Sequence, residues 1–218
     1  MKKLMTSAVA LAVTSALAMP AQAAMLLGAK AGVYGWVAET DVTPVGGAEL
    51  NGGDDVAKGA YVAIEHFIPL IPNVKLRYHN YEADRFEMTQ TDMIAYYEIL
   101  DNDALAFDIG VNFSNYDGID RTAGGKAFDS WTPSIYSEAI IGLPATPLSL
   151  YGEMNFGSFD GTSTFDGQFG LFYTLPIPAI DVNLKAGYRV IDNDFDNFDG
   201  YSREFNQEGF IFGAEIVM

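Results

Sequence analysis

The stretch ALAFDIGVNF, residues 104 to 113, alternates without a slip. Leu105, Phe107, Ile109, Val111 and Phe113 share one face, and Ala106, Asp108, Gly110 and Asn112 share the other. A period of two marks a β-strand with one apolar and one polar side. Residues 148–157 repeat it, with Leu148, Leu150, Met154 and Phe156 against Ser149, Tyr151, Glu153 and Asn155. So do residues 181–190, with Val182, Leu184, Ala186, Tyr188 and Val190 against Asn183, Lys185, Gly187 and Arg189. Such strands belong either to a soluble sandwich that buries the apolar face or to a barrel that turns it toward lipid.

Working outward from these three, the same alternation predicts ten strands, at 26–38, 59–68, 74–83, 91–100, 104–114, 132–143, 148–158, 167–175, 181–191 and 208–218. Each is about the ten residues that a tilted strand needs to cross a bilayer. The predicted connections alternate in length. Residues 69–73, 101–103, 144–147 and 176–180 are short, whereas 39–58, 84–90, 115–131, 159–166 and 192–207 are mostly longer, polar and rich in Asp and Gly. Short turns at one end and long loops at the other are the layout of an outer-membrane barrel, and an even strand count puts both termini on the periplasmic side. Three short turns are proline-pinned and greasy: FIPLIPNVKL (67–76), GLPATPLSL (142–150) and TLPIPAIDVNL (174–184). Proline ends a ladder, and Leu70, Ile71, Ile177 and Ile180 suit a turn lying at a lipid interface. The fold class is therefore all-β: a membrane-spanning, antiparallel, up-and-down β-barrel of ten strands. Eight is the alternative, because glycines in 26–38 and 159–175 blur strand limits.

The first 23 residues agree with export. Lys2 and Lys3, the apolar run Leu4 to Met19 and the Ala21-Gln22-Ala23 site describe a cleavable signal peptide, leaving a barrel domain over 24–218 that starts at Ala24. Without those two lysines the balance is ten basic against 29 acidic residues, a net charge of −19. Nucleic acid and anionic lipid surfaces are poor partners for such a chain. No cysteine is present, so disulfides and thiolate metal sites are excluded. Residues 24–218 hold no apolar run long enough for a membrane helix.

The sequence ends in GFIFGAEIVM, residues 209 to 218, in which Phe210, Phe212, Ala214, Ile216 and Met218 alternate outward and Gly213 stands before x-x-Ile216-x-Met218. This resembles the terminal β-signal that the barrel-assembly machinery reads in outer-membrane proteins, although the family pattern usually ends in Phe where Met218 stands. Residues 24–218 as a whole resemble the small outer-membrane barrels of Gram-negative bacteria, in particular the OmpW-like proteins and the Gly-Gly family. Gly46-Gly47 and Gly52-Gly53 are both candidates for the paired glycines of that family. The resemblance implies an outer-membrane location, with lipid, lipopolysaccharide and the assembly machinery as partners. It implies no cofactor and little about a substrate.

If the apolar faces meet lipid, the polar faces line the lumen. Lys30, Lys75, Arg77, His79, Lys185 and Arg189 then face Glu65, Asp92, Glu98, Asp108, Glu138, Glu153 and Glu215. Tyrosines, Trp36 and the amides Asn112, Asn155, Gln168 and Asn183 fill between them. Ten strands lie near the width that side chains can fill, so these charges either pair into a plug or ring a narrow conduit for small solutes. Catalysis has little to work with. His66 sits beside a periplasmic turn on the lipid-directed face, and His79 points inward between Arg77 and Tyr81. In the last predicted loop, 192–205, Asp192, Asp194, Asp196 and Asp199 partly mimic a Ca²⁺ loop, but Asn197 and Arg203 stand where its glycine and bidentate Glu belong. Divalent ions at such acidic loops, bridging to lipopolysaccharide phosphates, would make the chain a surface-binding barrel instead.

Overall fold

The computed structural model describes residues 27–218 apart from 45, 69, 84, 103, 176, 178 and 179, and for 52–55 the backbone alone. The signal segment 1–23 and the start at Ala24 lie outside the described residues, as do Pro69, Pro176 and Pro178 of the proline turns. Among the described residues there are ten strands: β1 (Leu27–Pro44), β2 (Leu50–His66), β3 (Asn73–Glu82), β4 (Phe86–Asn102), β5 (Leu105–Asp120), β6 (Lys126–Gly142), β7 (Leu148–Phe159), β8 (Thr162–Leu175), β9 (Asp181–Phe198) and β10 (Tyr201–Val217). Each pairs antiparallel with its chain neighbours, and β1 pairs with β10, so the sheet closes into an up-and-down barrel. The eight-stranded alternative is set aside, since the glycines of β1 and β8 lie within continuous strands.

Those glycines have a steric reason. Tyr34 of β1 lays its ring over Gly59 of β2, Tyr61 of β2 lays its ring over Gly32 of β1, and a Cβ at either glycine would enter the ring. Glycine thus makes room for large inward side chains in a narrow tube.

The register fixes the tube's size. Cα partners lead once around the sheet from Ala29 through Ile64, Val74, Ala95, Val111, Ile135, Phe156, Phe165, Asp192 and Asn206 to Asp41, which is twelve residues further along β1. Ten strands with that stagger tilt roughly 40° and enclose a backbone radius of roughly 10 Å, which side chains can fill. At the seam the chain's last residue takes part: Met218 N donates to Ala29 O at 2.9 Å, and Ala29 N to Met218 O at 2.9 Å.

Each long strand changes polarity along its length. In β9, Leu184 points outward and exposed while Lys185 and Arg189 are buried inside. Further along the same strand Asp192, Asp194 and Asp196 are outward and Ile191 and Phe195 are buried inside. The first arrangement suits lipid outside and a polar lumen, and the second suits water outside and an apolar core. Nine residues of a strand at this tilt, such as 182–190, rise roughly 20–25 Å, matching the apolar band of a bacterial outer membrane.

This reversal corrects the predicted long loops. The segments 39–58, 84–90, 115–131, 159–166 and 192–207 are largely strand, and the outer connections shrink to 45–49, 83–85, 121–125, 160–161 and 199–200. Outward acids made the segments read as loop, yet the period of two continues through them with apolar residues inward. At the other end, the described turns are as greasy as expected: Leu70 is 91% exposed, and Ile71 and Ile177 are exposed beside it or in the equivalent turn.

Candidate functional site: the barrel lumen

The lumen holds two stacked layers. In the membrane half, β3 directs Lys75, Arg77 and His79 inward, β4 directs Asp92, and β7, β8 and β9 supply Glu153, Asp166 and Arg189, all of them buried. Arg77 is the hub. Its Nε donates to Asp92 Oδ2 at 2.7 Å, its Nη1 donates to Glu153, and its Nη2 donates to Asp166 Oδ2 at 3.2 Å. Arg189 grips Asp166 with two parallel bonds, Nε to Oδ1 at 2.8 Å and Nη2 to Oδ2 at 2.7 Å, the strong bidentate geometry of a guanidinium and a carboxylate. Asp92 also accepts from Ser114 Oγ at 2.7 Å and Gln90 Nε2 at 2.9 Å.

His79 lies inside this network. Its Nδ1 faces the Tyr34 hydroxyl at 2.5 Å and Arg189 Nη1 at 3.1 Å, and its Nε2 lies 3.4 Å from Asp92 Oδ2. Arg189 Nη2 also lies 3.2 Å from Nε2, so the guanidinium faces both ring nitrogens. His79 is 1% exposed, enclosed by Tyr34, Arg189 and Asp92.

Toward the periplasm the network continues. Lys75 Nζ reaches Glu153 at 2.6 Å and Glu138 at 3.2 Å, and Tyr136 donates to Glu138. Tyr61 donates to Glu215 at 2.5 Å, and Asn183 does so at 2.9 Å. Lys185 lies 4.3 Å over the Tyr151 ring. Lys30 bridges to Glu65 at 2.6 Å. Asp108 lies beside Lys30 and Glu138 at the mouth. Glu98, the in-register partner of Asp108, is exposed at the periplasmic mouth and lines it with Lys30, Asp108 and Glu138, just before the β4–β5 ladder slips between Glu98 and Leu100.

Above the charges sits an aromatic cap that the sequence reading missed. Phe86 stacks on Phe205 at 4.6 Å, Phe128 on Tyr201 at 4.4 Å, and Phe195 against Phe198 at 4.8 Å, all of them buried. Trp36 and Tyr81, edge to face at 5.8 Å, form its underside against His79. Buried Asp120 ties the cap to the outer turn. It accepts from Thr122 N at 2.7 Å and from the Tyr201 hydroxyl at 3.0 Å, and lies 3.4 Å from Arg203 Nε. Burial and the neighbouring Asp120 raise the Tyr201 hydroxyl's pKa well above its usual range, so it stays a donor. Asp166, Asp120 and the cap were assigned to loops. The signal that finds them is the period of two carried past the apolar belt, as in 172, 170, 168, 166.

The acidic loop expected at 192–205 is also corrected. Asp192, Asp194 and Asp196 lie in β9, outward and separated along the strand, while Asp199 in the turn accepts from Asp129 N at 3.2 Å. Among the described residues no three acidic or histidine side chains gather closely enough to hold a metal ion. Phe210 and Phe212 of the terminal signal point outward as expected, with Gly213, Ile216 and Met218 on the closing seam.

No protein-family model and no curated protein matches the chain. Solved structures do resemble it. The outer membrane protease OmpT from Escherichia coli is 9% identical, with 88% of this chain and 96% of that chain covered and a TM-score of 0.48. Neisserial surface protein A, NspA, is 13% identical over 87% and 96%, with a TM-score of 0.40. The translocator domain of the autotransporter NalP from Neisseria meningitidis is 13% identical over 98% and 95%, also with a TM-score of 0.40. The closed antiparallel barrel is established by this chain's own strand pairing.

Proposed function

We propose that this chain is a non-catalytic structural barrel of a bacterial outer membrane whose lumen is plugged. The observation that carries the reading is the double seal across the lumen. Arg77 and Arg189 are fully buried among Asp92, Glu153 and Asp166, and an aromatic cap closes the tube above them. Ions following a water path need charges that face water, whereas these face each other. Of the two roles open to the inward charges, plug and conduit, the pairing supports the plug.

The outward faces support the location: an apolar belt of membrane height lies below strand extensions that carry their carboxylates outward. Lipopolysaccharide and the barrel-assembly machinery are the partners that follow from this location and from the Phe210–Met218 signal. Kinship with the OmpW-like or Gly-Gly barrels is supported by the sequence pattern. Proteoliposome swelling tests the reading. Vesicles holding the refolded barrel are expected to swell in arabinose no faster than empty ones, and swelling that scales with the amount of protein would refute it.

A further inference from the structure

The barrel wall is not paired over its full height. β6 and β7 are partnered from Gly142 and Ser149 up to Ile135 and Phe156, and no further. Yet β6 continues to Lys126 along β5, and β7 to Phe159 along β8. Pro133 marks the break. A Cβ placed on Gly157 of β7 would lie 2.6 Å from Pro133 O, so this residue's hydrogen-bonding edge faces β7. Having no N–H to offer there, proline ends the ladder. The β9–β10 tip bridges the gap higher up, where Asp129 N meets Asp199 and Phe128 stacks on Tyr201.

Between that bridge and the last β6–β7 pair lies an opening of about 670 Å³ on the outward wall, at the upper edge of the apolar belt. Its size is that of small-molecule sites. Val111, Phe113, Ile135, Phe156 and Phe165 form its sides, continuous with the lipid-facing surface. Its floor is different: Ser134 and Thr164 are lumen-side residues, each more than nine-tenths buried. The Ser134 hydroxyl has no hydrogen-bond partner. Behind it, Asn112 is the β5 partner of Ser134 and Asn193 the β9 partner of Thr164, and each carries an unpartnered amide atom. Buried polar groups are ordinarily satisfied, so the unpaired Ser134 hydroxyl at the floor of an apolar opening, with further unpaired groups behind it, points to a ligand with a polar end.

Charge narrows the class. Among the described residues no lysine or arginine lines the opening. Carboxylates stand around its upper rim, Asp192 being the partner of Phe165 and Asp194 of Ser163. An anionic head group would be repelled and find no counter-ion.

We propose that this opening binds a neutral amphiphile drawn laterally from the outer leaflet. Its hydrocarbon body lies against the aromatic and aliphatic sides, and its hydroxyl or amide end bonds to Ser134. Such a site needs no path through the lumen.

The chain carries its own reporter. Trp131 lies two residues from Pro133 on the outward face and is 50% exposed, whereas the other tryptophan, Trp36, is buried in the lumen at 1%. The experiment is quenching of tryptophan fluorescence by 11-bromo-1-undecanol, with the refolded full-length mature protein in phosphatidylcholine nanodiscs and folding of each variant checked by its heat-modifiable migration. Saturable quenching is expected, weakened about fivefold by Ser134→Ala, as for loss of one hydrogen bond. Ser158→Phe, which fills the mouth from β7, should abolish it, and Ser163→Phe on β8 serves the same purpose if that variant does not fold. The anionic 11-bromoundecanoate should bind at least about tenfold more weakly, given the acidic rim. Quenching that rises linearly without saturation and is equal in the filled variants means partition into bulk lipid and overturns the site. A carboxylate that binds as tightly as the alcohol overturns the ligand class.

Discussion

Replacing Arg77 with methionine removes the guanidinium that holds three buried carboxylates, and the loss is not shared equally among them. Asp166 keeps both bonds to Arg189, and Glu153 keeps Lys75 at 2.6 Å. Asp92 keeps only neutral donors, Ser114, Gln90 and Asn112, and the His79 Nε2 at 3.4 Å. Its charge is then stranded in a fully buried position. Breaking a buried pair by removing one partner costs about 3–5 kcal/mol, a large share of the 5–15 kcal/mol that typically separates folded from unfolded protein. Because the penalty arises from the stranded charge, Asp92→Asn added to Arg77→Met should recover at least about 2 kcal/mol, a non-additivity expected of direct partners. Urea unfolding in thin phosphatidylcholine vesicles, followed by fluorescence and gel mobility, measures both. A cost below about 1 kcal/mol for Arg77→Met, or a double variant less stable than the single one, would refute the paired network.

The aromatic cap should behave as a core: Phe128→Ala is expected to cost about 3–5 kcal/mol by the same unfolding assay, and the bilayer should stay silent because the charge layer beneath remains. Asp120→Ala removes the acceptor for Thr122, Tyr201 and Arg203. It should cost about 1–3 kcal/mol and raise amide exchange at 121–125 while leaving the membrane half unchanged. Deleting Val217 and Met218 removes the seam bonds to Ala29 and the end of the terminal signal. Cells producing that form should accumulate less heat-modifiable barrel than cells producing the full chain, with the soluble periplasmic pool correspondingly larger.

The membrane half was legible because lipid outside and charge inside give each strand a strong contrast at period two. Leu105 to Phe113 and Val182 to Val190 fixed both the fold and which faces the side chains take. The upper half was not legible because its contrast is inverted. Asp192, Asp194 and Asp196 face water there, so a search for apolar outward faces reads loop although Ile191, Asn193 and Phe195 keep the alternation inward. Asp166 was lost for the same reason, one residue before the predicted strand start at 167. Period two fixes a face only while the ladder stays in register, and on β4 it holds as far as Glu98, beyond which the ladder slips before Leu100. The lateral opening is a fact of pairing. Pro133 announces a place where a ladder must stop, but only the neighbour's length shows that the wall parts there.

Single-channel recording in a planar bilayer, on barrel shown to be folded by heat-modifiable migration, tests the plugged lumen most directly. The paired charges and the aromatic cap predict a silent membrane at moderate voltage. Steady openings of uniform size would contradict the account and show that Lys30, Arg77 and Glu153 line a water path instead of sealing one another.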